Sequence, residues 1–145
     1  MREPAKAVLE KGGVPEPRCI INISSTTGTR GNAGQLNYSA AKSAVLGMTK
    51  TIAREWGMFN IRCNAIAFGR IATRLTADKK EGATIVTPEG DKVALGIPGA
   101  GAANFDMIPL RRAGTPEEAG ASIVMLASPW ASYVTGQTLE VTGGI

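Results

Sequence analysis

Residues 18–56, RCIINISSTTGTRGNAGQLNYSAAKSAVLGMTKTIAREW, contain the pattern from which the fold is predicted. The run 18–24 is short and apolar with three isoleucines, which is typical of a buried parallel strand. Residues 25–35 are rich in Ser, Thr, Gly and Asn and predict a loop. Residues 37–56 predict a helix, and Gly57 is placed to cap its C-terminus. The apolar stripe of this helix is expected at Ala41, Ala44, Val45, Met48, Ile52 and Trp56.

The sequence after this helix continues the alternation of strands and helices. Residues 61–68 (IRCNAIAF) predict a second strand, and 137–141 (QTLEV) predict a last one. Between them, Thr115-Pro116-Glu117-Glu118 is the signature of a helix start, with a capping box and Pro at the first helical position. That helix is expected to run to about Ser128. Alternating strands and helices predict an α/β fold with a parallel sheet and flanking helices, in a single domain.

Residues 76–104 interrupt this alternation and predict an insertion. Within them, 83–97 has two β-rich halves around Pro88-Glu89-Gly90-Asp91, which predicts a hairpin. The charged turn and its Gly and Pro flanks favour a mobile cover on the surface over a place in the core.

Composition excludes several classes of function. The 145 residues contain no histidine, which excludes Ser-His-Asp and Cys-His catalysis and every metal site that needs His; no metal site is expected. The net charge is +4 and the basic residues are scattered, so a nucleic-acid partner is not predicted. No signal peptide or membrane-spanning run is found, and two isolated cysteines favour a reducing compartment. The expected location is the cytoplasm or an organelle matrix, without membrane association.

Tyr38 and Lys42 are the first candidates for chemistry. They are four residues apart at the start of a predicted helix and therefore project from one face. A Lys ammonium beside a phenol favours the phenolate, so such a tyrosine could exchange a proton with a carbonyl or alcohol oxygen. Ser25 ends the first strand, at the edge of a parallel sheet where ligands bind, and could bind the same oxygen. A Tyr-x-x-x-Lys pattern alone is common by chance.

Further motifs occur in a fixed order around these residues. Ser25 is followed by TTGTRGNAGQLN and Tyr38, then by FGRIAT at 68–73, IPLRRAGTPEE at 108–118, and VTGQ and TGG near the C-terminus. In the order and spacing of these motifs, nearly the whole chain resembles the short-chain dehydrogenase/reductase family. The resemblance is strongest to its beta-ketoacyl-acyl-carrier-protein reductase-like members. The resemblance implies the C-terminal half of a doubly wound, Rossmann-type sheet.

The resemblance also implies roles for individual residues. Tyr38 corresponds to the catalytic acid/base, Lys42 to the lysine that assists it and binds the nicotinamide ribose, and Ser25 to the serine that orients the reacting oxygen, while Ser24 is expected to face the other way. Residues 76–104 correspond to a substrate lid. The implied cofactor-binding residues are Tyr38, Lys42, Phe68, Gly69, Ile71 and Thr73, with Phe68 where the family usually has Pro.

The implied activity is an NAD(P)-dependent interconversion of a carbonyl and an alcohol, with NADP favoured over NAD. The substrate would be a small molecule or a 3-oxoacyl thioester, and the protein a homodimer or homotetramer. However, the Gly-rich strand-to-helix turn that binds the cofactor pyrophosphate does not occur in these residues. The chain is therefore expected to lack the dinucleotide-binding half and to be inactive alone. The alternative is a non-catalytic relative that serves as an assembly or interaction module.

Overall fold

A computed structural model of the protein describes residues 2–79, 83–96 and 105–145. It contains four α-helices and five β-strands within these residues. In chain order they are α1 (Arg2–Glu10), β1 (Arg18–Ser25), α2 (Thr26–Arg30), α3 (Leu36–Trp56), β2 (Ile61–Phe68), β3 (Thr84–Val86), β4 (Lys92–Ala94), α4 (Pro116–Ala127) and β5 (Thr138–Val141).

The chain divides into two compact units. The first comprises Met1–Gly69 and Gly120–Val141, and the second comprises Arg70–Ala119 and Thr142–Ile145. The parallel sheet belongs to the first unit and the hairpin to the second.

The sheet of the first unit has the strand order β1-β2-β5, and both pairings are parallel. This confirms the predicted α/β class with its parallel sheet. The central strand β2 is buried along most of its length, with Cys63, Ala65, Ile66 and Ala67 at 0% exposure. An apolar strand between two neighbours and covered on its faces is what a parallel sheet requires.

Buried Asn64 sets the position of β5 beside β2. Its side chain is fully buried, its amide donates a hydrogen bond to the Val134 carbonyl at 2.8 Å, and its oxygen accepts one from the Gln137 N–H at 3.0 Å. A buried amide needs such partners, because an unsatisfied polar group in the core is costly. Asn64 therefore determines where the chain enters β5.

The helix α3 ends at Trp56 with Gly57 as its C-cap, as predicted, but the cap is not left-handed. Gly57 has φ −56° and ψ −40°, so it is right-handed and opens a 3₁₀ turn, Gly57–Phe59. The left-handed residue is Asn60, with φ +56°. Asn tolerates this conformation better than most residues, and the Asn60 amide also donates to the Pro15 carbonyl at 2.8 Å. Gly57 is thus the C-cap residue of α3, as expected, but the left-handed conformation lies three residues later, at Asn60.

The buried face of α3 also differs from the predicted stripe. Thr49 and Ala53 are its buried residues, whereas Ala41, Ala44 and Met48 of the predicted stripe are exposed. Thr49 is accepted in the interior because its hydroxyl donates to the Val45 carbonyl at 2.8 Å and accepts from the Asn22 amide at 2.9 Å. Because its hydroxyl has hydrogen-bond partners, Thr49 is buried at a position where the hydrophobic pattern predicts no buried residue.

The predicted loop 25–35 contains the short helix α2. Ser25 has an extended backbone, and its hydroxyl accepts a hydrogen bond from the Thr27 N–H at 3.2 Å, which is the geometry of an N-cap. The composition of the segment favours a loop, but a serine cap and packing against α3 stabilise one helical turn and a half.

The second unit contains the predicted hairpin. Strands β3 and β4 pair antiparallel, and Gly90 in the turn between them has φ +93°. Glu89 and Asp91 are exposed, as expected for a surface turn. The rest of the predicted lid, at 80–82 and 97–104, lies outside the described residues.

The start of α4 confirms the predicted capping box. The Glu118 N–H donates to the Thr115 hydroxyl at 3.2 Å, and the Thr115 N–H donates to the Glu118 carboxylate at 2.8 Å. Pro116 is the first helical residue. The helix ends at Ala127, within one residue of the prediction.

Candidate active site

Consecutive serines at the end of β1 face opposite sides, as expected. Ser24 is 3% exposed, and its hydroxyl donates to the Lys42 carbonyl of α3 at 2.9 Å. The Ser25 hydroxyl accepts from the Thr27 N–H. A serine hydroxyl has one proton and two lone pairs, so capping α2 leaves the Ser25 proton available to a ligand oxygen.

Lys42 and Tyr38 lie together on the first turns of α3. The Lys42 Nζ is 5.7 Å from the centroid of the Tyr38 ring and donates a hydrogen bond to the Ile23 carbonyl of β1 at 3.1 Å. The ring of Tyr38 is 43% exposed and therefore accessible to a ligand. At this distance the ammonium is within the range of a cation–π interaction with the ring.

Gly28 allows α2 to pack directly against α3. A Cβ at Gly28 would lie 2.7 Å from the carbonyl carbon of Lys42 and 2.8 Å from its Cβ, closer than real contacts allow. The Ser43 hydroxyl adds a hydrogen bond of 2.6 Å to the Gly28 carbonyl. The segment between Ser25 and Tyr38 is therefore held on α3 at Lys42. The sequence-based prediction missed this contact, although a glycine within TTGTR was a signal for it.

Glu140 of β5 is a second contact that the sequence did not reveal. Its carboxylate accepts a hydrogen bond from the Thr29 hydroxyl at 2.8 Å and forms an ion pair with Arg30. The hydrogen bond from the Thr29 hydroxyl lowers the pKa of Glu140, and the hydrogen bond from Arg30 lowers it further by a smaller amount. These residues are far apart in the sequence, and only the parallel order of the sheet brings α2 beside the end of β5.

The remaining predicted site residues are divided between the two units. Phe68 pairs with Ser25 in register at the ends of β2 and β1, and the Gly69 N–H donates to the Val141 carbonyl at 2.9 Å. Thus Ser25, Phe68 and Gly69 share the carboxyl edge of the sheet. Ile71 and Thr73 belong to the second unit, where Ile71 forms an isolated parallel bridge with Gly114.

The described part of the chain, residues 2–79, 83–96 and 105–145, contains no group of three or more His, Cys, Asp or Glu side chains that could hold a metal ion. None of its helices has both the length and the apolar content needed to cross a membrane.

The amino-acid sequence matches a known protein family along nearly its whole length. A family model described as enoyl-(acyl carrier protein) reductase matches residues 3–145. The chain belongs to the short-chain dehydrogenase/reductase family. Its parallel sheet with flanking helices is accordingly part of the Rossmann-type fold of that family.

Relatives within the short-chain dehydrogenase/reductase family match the chain along most of its length. The 3-oxoacyl-[acyl-carrier-protein] reductase FabG of Vibrio harveyi is 39% identical over 143 residues, which cover 97% of this chain and 51% of the relative. The human (3R)-3-hydroxyacyl-CoA dehydrogenase is 42% identical over 87% of this chain and 42% of the relative. FabG of Thermotoga maritima is 44% identical over 87% of this chain and 44% of the relative. The chain thus spans about half the length of the short-chain dehydrogenases/reductases that it matches.

Proposed function

We propose that this chain is the catalytic half of an NAD(P)-dependent oxidoreductase that interconverts a carbonyl and an alcohol, with a 3-oxoacyl thioester as the substrate class. The observation that supports this most strongly is the position of Lys42. Its ammonium is 5.7 Å from the centroid of the Tyr38 ring and 3.1 Å from the carbonyl of Ile23, two residues before Ser25 on β1. The names of the relatives, reductases and dehydrogenases of acyl thioesters, support the substrate class.

In the proposed reduction, the Tyr38 hydroxyl donates its proton to the carbonyl oxygen of the substrate. The Ser25 proton, which the cap of α2 does not use, donates a second hydrogen bond to the same oxygen. Lys42 stabilises the phenolate that remains on Tyr38. Two donors aimed at an oxygen on which negative charge develops lower the barrier, and positioned acid catalysis contributes roughly 10²–10⁴-fold.

The nicotinamide cofactor supplies the hydride when it is bound. The chemistry of Lys42 fits this group, because an ammonium has three N–H donors and the Ile23 carbonyl accepts only one of them. The others are available to ribose hydroxyls. We propose that Phe68 and Gly69, at the same sheet edge, and Ile71 and Thr73 contribute the nicotinamide side of the binding site, and that NADP is preferred to NAD.

We further propose that these 145 residues alone do not turn over substrate. Hydride transfer needs the nicotinamide held at near-attack distance, and that positioning is a large share of the rate. The sequence contains no Gly-rich strand-to-helix turn to bind the pyrophosphate. The complete enzyme would act as a homodimer or homotetramer in the cytoplasm or an organelle matrix, with residues 76–104 as its substrate lid.

The test is a chimera in which the part of Vibrio harveyi FabG without a counterpart here is placed ahead of residues 3–145. Oxidation of NADPH by an acetoacetyl thioester is measured for the chimera and for the isolated chain. We expect turnover by the chimera alone, and a loss of about 10²-fold or more in Tyr38→Phe. Tyr133, the other tyrosine of the chain, is fully exposed, so Tyr133→Phe is the matched control and keeps full activity.

Two outcomes would contradict the proposal. A folded chimera that binds NADPH without turnover would favour the alternative, a non-catalytic family member that serves as an assembly or interaction module. Saturable micromolar NADPH binding and Tyr38-dependent turnover by the isolated chain would show that it is a complete, small enzyme.

A further inference from the structure

The second unit contains a cavity of about 600 Å³. Its lining includes Thr73, which is proposed above to contact the nicotinamide, and Thr76, Ala77 and Asp78 at the start of the proposed lid segment. Its lining is mixed and contains hydroxyl and charged groups together with an aromatic ring and small apolar side chains. The polar, charged and aromatic residues of the lining are Arg70, Thr73, Arg74, Thr76, Asp78 and Phe105.

Two arginines give this cavity its charge. The guanidinium carbon of Arg70 lies over the Phe105 ring, 5.4 Å from its centroid, which is a cation–π contact. Within the described residues, no carboxylate forms an ion pair with Arg70 or Arg74. By contrast, Arg111 and Arg112 of the same unit are paired with Asp106 and Glu118.

The single carboxylate of the lining does not neutralise the two guanidinium groups. Asp78 already takes part in another interaction, and two positive charges against one negative leave a formal excess of one. Arg70 is partly buried, and a guanidinium with five N–H donors is costly to remove from water without acceptors. Its environment therefore favours an incoming oxyanion.

The backbone that carries Arg74 is held in a defined turn. The Thr76 and Ala77 N–H groups donate to the Thr73 carbonyl at 3.0 and 2.9 Å, and the Thr73 N–H donates to the Thr76 hydroxyl at 2.8 Å. The position of the Arg74 Cα relative to the cavity is thus fixed by three hydrogen bonds. The Arg74 side chain itself is exposed, so the turn fixes the backbone from which the guanidinium extends.

We infer that this cavity binds an oxyanion, a carboxylate or a phosphate, attached to an apolar chain. The guanidinium groups of Arg70 and Arg74 bind the anion, and Phe105 with the small apolar lining contacts the chain. The inference rests on the proposed function in one respect: the ligand is taken to be the anionic portion of the acyl substrate. The substrate class is thereby narrowed to acyl compounds that carry a negative charge on the acyl chain or on its carrier.

Binding to the 145-residue chain is measured by calorimetry with four probes: octanoate, octyl phosphate, the uncharged octanamide and inorganic phosphate. We expect one or both of the anionic amphiphiles to bind at least about tenfold more tightly than octanamide and inorganic phosphate. Preference for octanoate indicates a carboxylate on the acyl chain, and preference for octyl phosphate indicates a phosphate on the carrier.

Variants locate the site. Arg70→Met and Arg74→Met are each expected to weaken binding about tenfold, and Arg70→Lys to weaken it less, because a point charge replaces the planar fork. Arg54→Met removes an exposed arginine of α3 in the first unit and should change nothing. The inference is wrong if octanamide binds as tightly as the anions, or if Arg54→Met weakens binding as much as Arg74→Met.

These outcomes are separable from those of the proposed function. If the chain shows no preference for the anionic probes while the chimera shows Tyr38-dependent turnover, only this inference is overturned. Selective anion binding without turnover would overturn only the proposed reaction.

Discussion

The Lys42 Nζ donates a hydrogen bond of 3.1 Å to the Ile23 carbonyl, which links α3 to the end of β1. The next residue of the strand, Ser24, binds the backbone of the same lysine: its hydroxyl donates a hydrogen bond to the Lys42 carbonyl at 2.9 Å. Two consecutive strand residues thus fix both the backbone and the ammonium of Lys42. The position of that ammonium relative to Tyr38 follows from this arrangement.

Lys42→Met in the chimera is expected to lower turnover by about 10²-fold, because a preorganised positive charge beside the reacting proton is lost. Lys50→Met is the matched control, since Lys50 is an exposed residue of the same helix. Steady-state rates with NADPH and an acetoacetyl thioester provide the measurement. Equal rates for the two variants would show that Lys42 has no catalytic part.

Gly28→Ala is expected to destabilise the first unit by roughly 1–3 kcal/mol, because the added Cβ overlaps the Lys42 backbone and overpacking costs this much. Gly47→Ala is the control within α3. A Cβ there meets nothing within 4 Å, so the higher helix propensity of Ala should stabilise by up to about 1 kcal/mol. Urea denaturation followed by circular dichroism measures both. The change in the free energy of unfolding is expected to have opposite signs in the two variants. Destabilisation by both would contradict the packing argument.

Glu118 is expected to make stability depend on pH in the acid range. The hydrogen bond from Arg112 lowers its pKa to about 2 in the folded chain, against an ordinary value of 4.5. A lowered folded pKa means that the contribution is present above pH 4.5 and is lost as pH falls toward 2. In Glu118→Gln, the loss of stability over this interval should be smaller.

The measurement is the midpoint of urea unfolding at several pH values for the wild type, Glu118→Gln and Glu89→Gln. Glu89 is exposed in the hairpin turn and serves as the control. If the urea midpoint falls with decreasing pH to the same extent in all three proteins, the Arg112–Glu118 pair has no role in acid stability.

The edge position of β1 is expected to cause self-association of the isolated chain. Within the described residues β1 pairs only with β2, and Ile23 on this strand is 43% exposed. An unpaired apolar edge favours pairing with another chain, and a charge placed on it opposes this. Ile23→Lys should therefore raise the monomer fraction in sedimentation velocity. Val14→Lys adds the same charge at an exposed position outside the strands and should not do so.

Local sequence was sufficient for the elements with strong local signals. The apolar runs of β1 and β2 and the capping box of Thr115 and Glu118 are confirmed within a residue or two. In each case the deciding interaction lies within the element or within three residues along the chain. The same holds for the turn of the hairpin, where Gly90 supplies the positive φ.

The errors occur where a partner distant in sequence decides the outcome. Residues 25–35 predict a loop from composition, yet Gly28 lets part of this segment pack on α3 as a helix. The stripe predicted for α3 is displaced because Asn22 of β1 supplies a partner that buries Thr49. Neither effect can be read from periodicity, since both need the neighbouring element in place.

The sequence by itself determined the family, the parallel α/β fold and the candidates Ser25, Tyr38 and Lys42, because residue type and spacing carry that information. Only the tertiary structure decided what holds Lys42, how Glu140 binds Arg30 and Thr29, and that Arg70 and Arg74 share a cavity with Phe105. The physical reason is the distance along the chain between the residues that interact. Spacing along one helix or strand fixes which side chains share a face, whereas hydrogen bonds between strands, helices and loops depend on how the sheet and its helices pack.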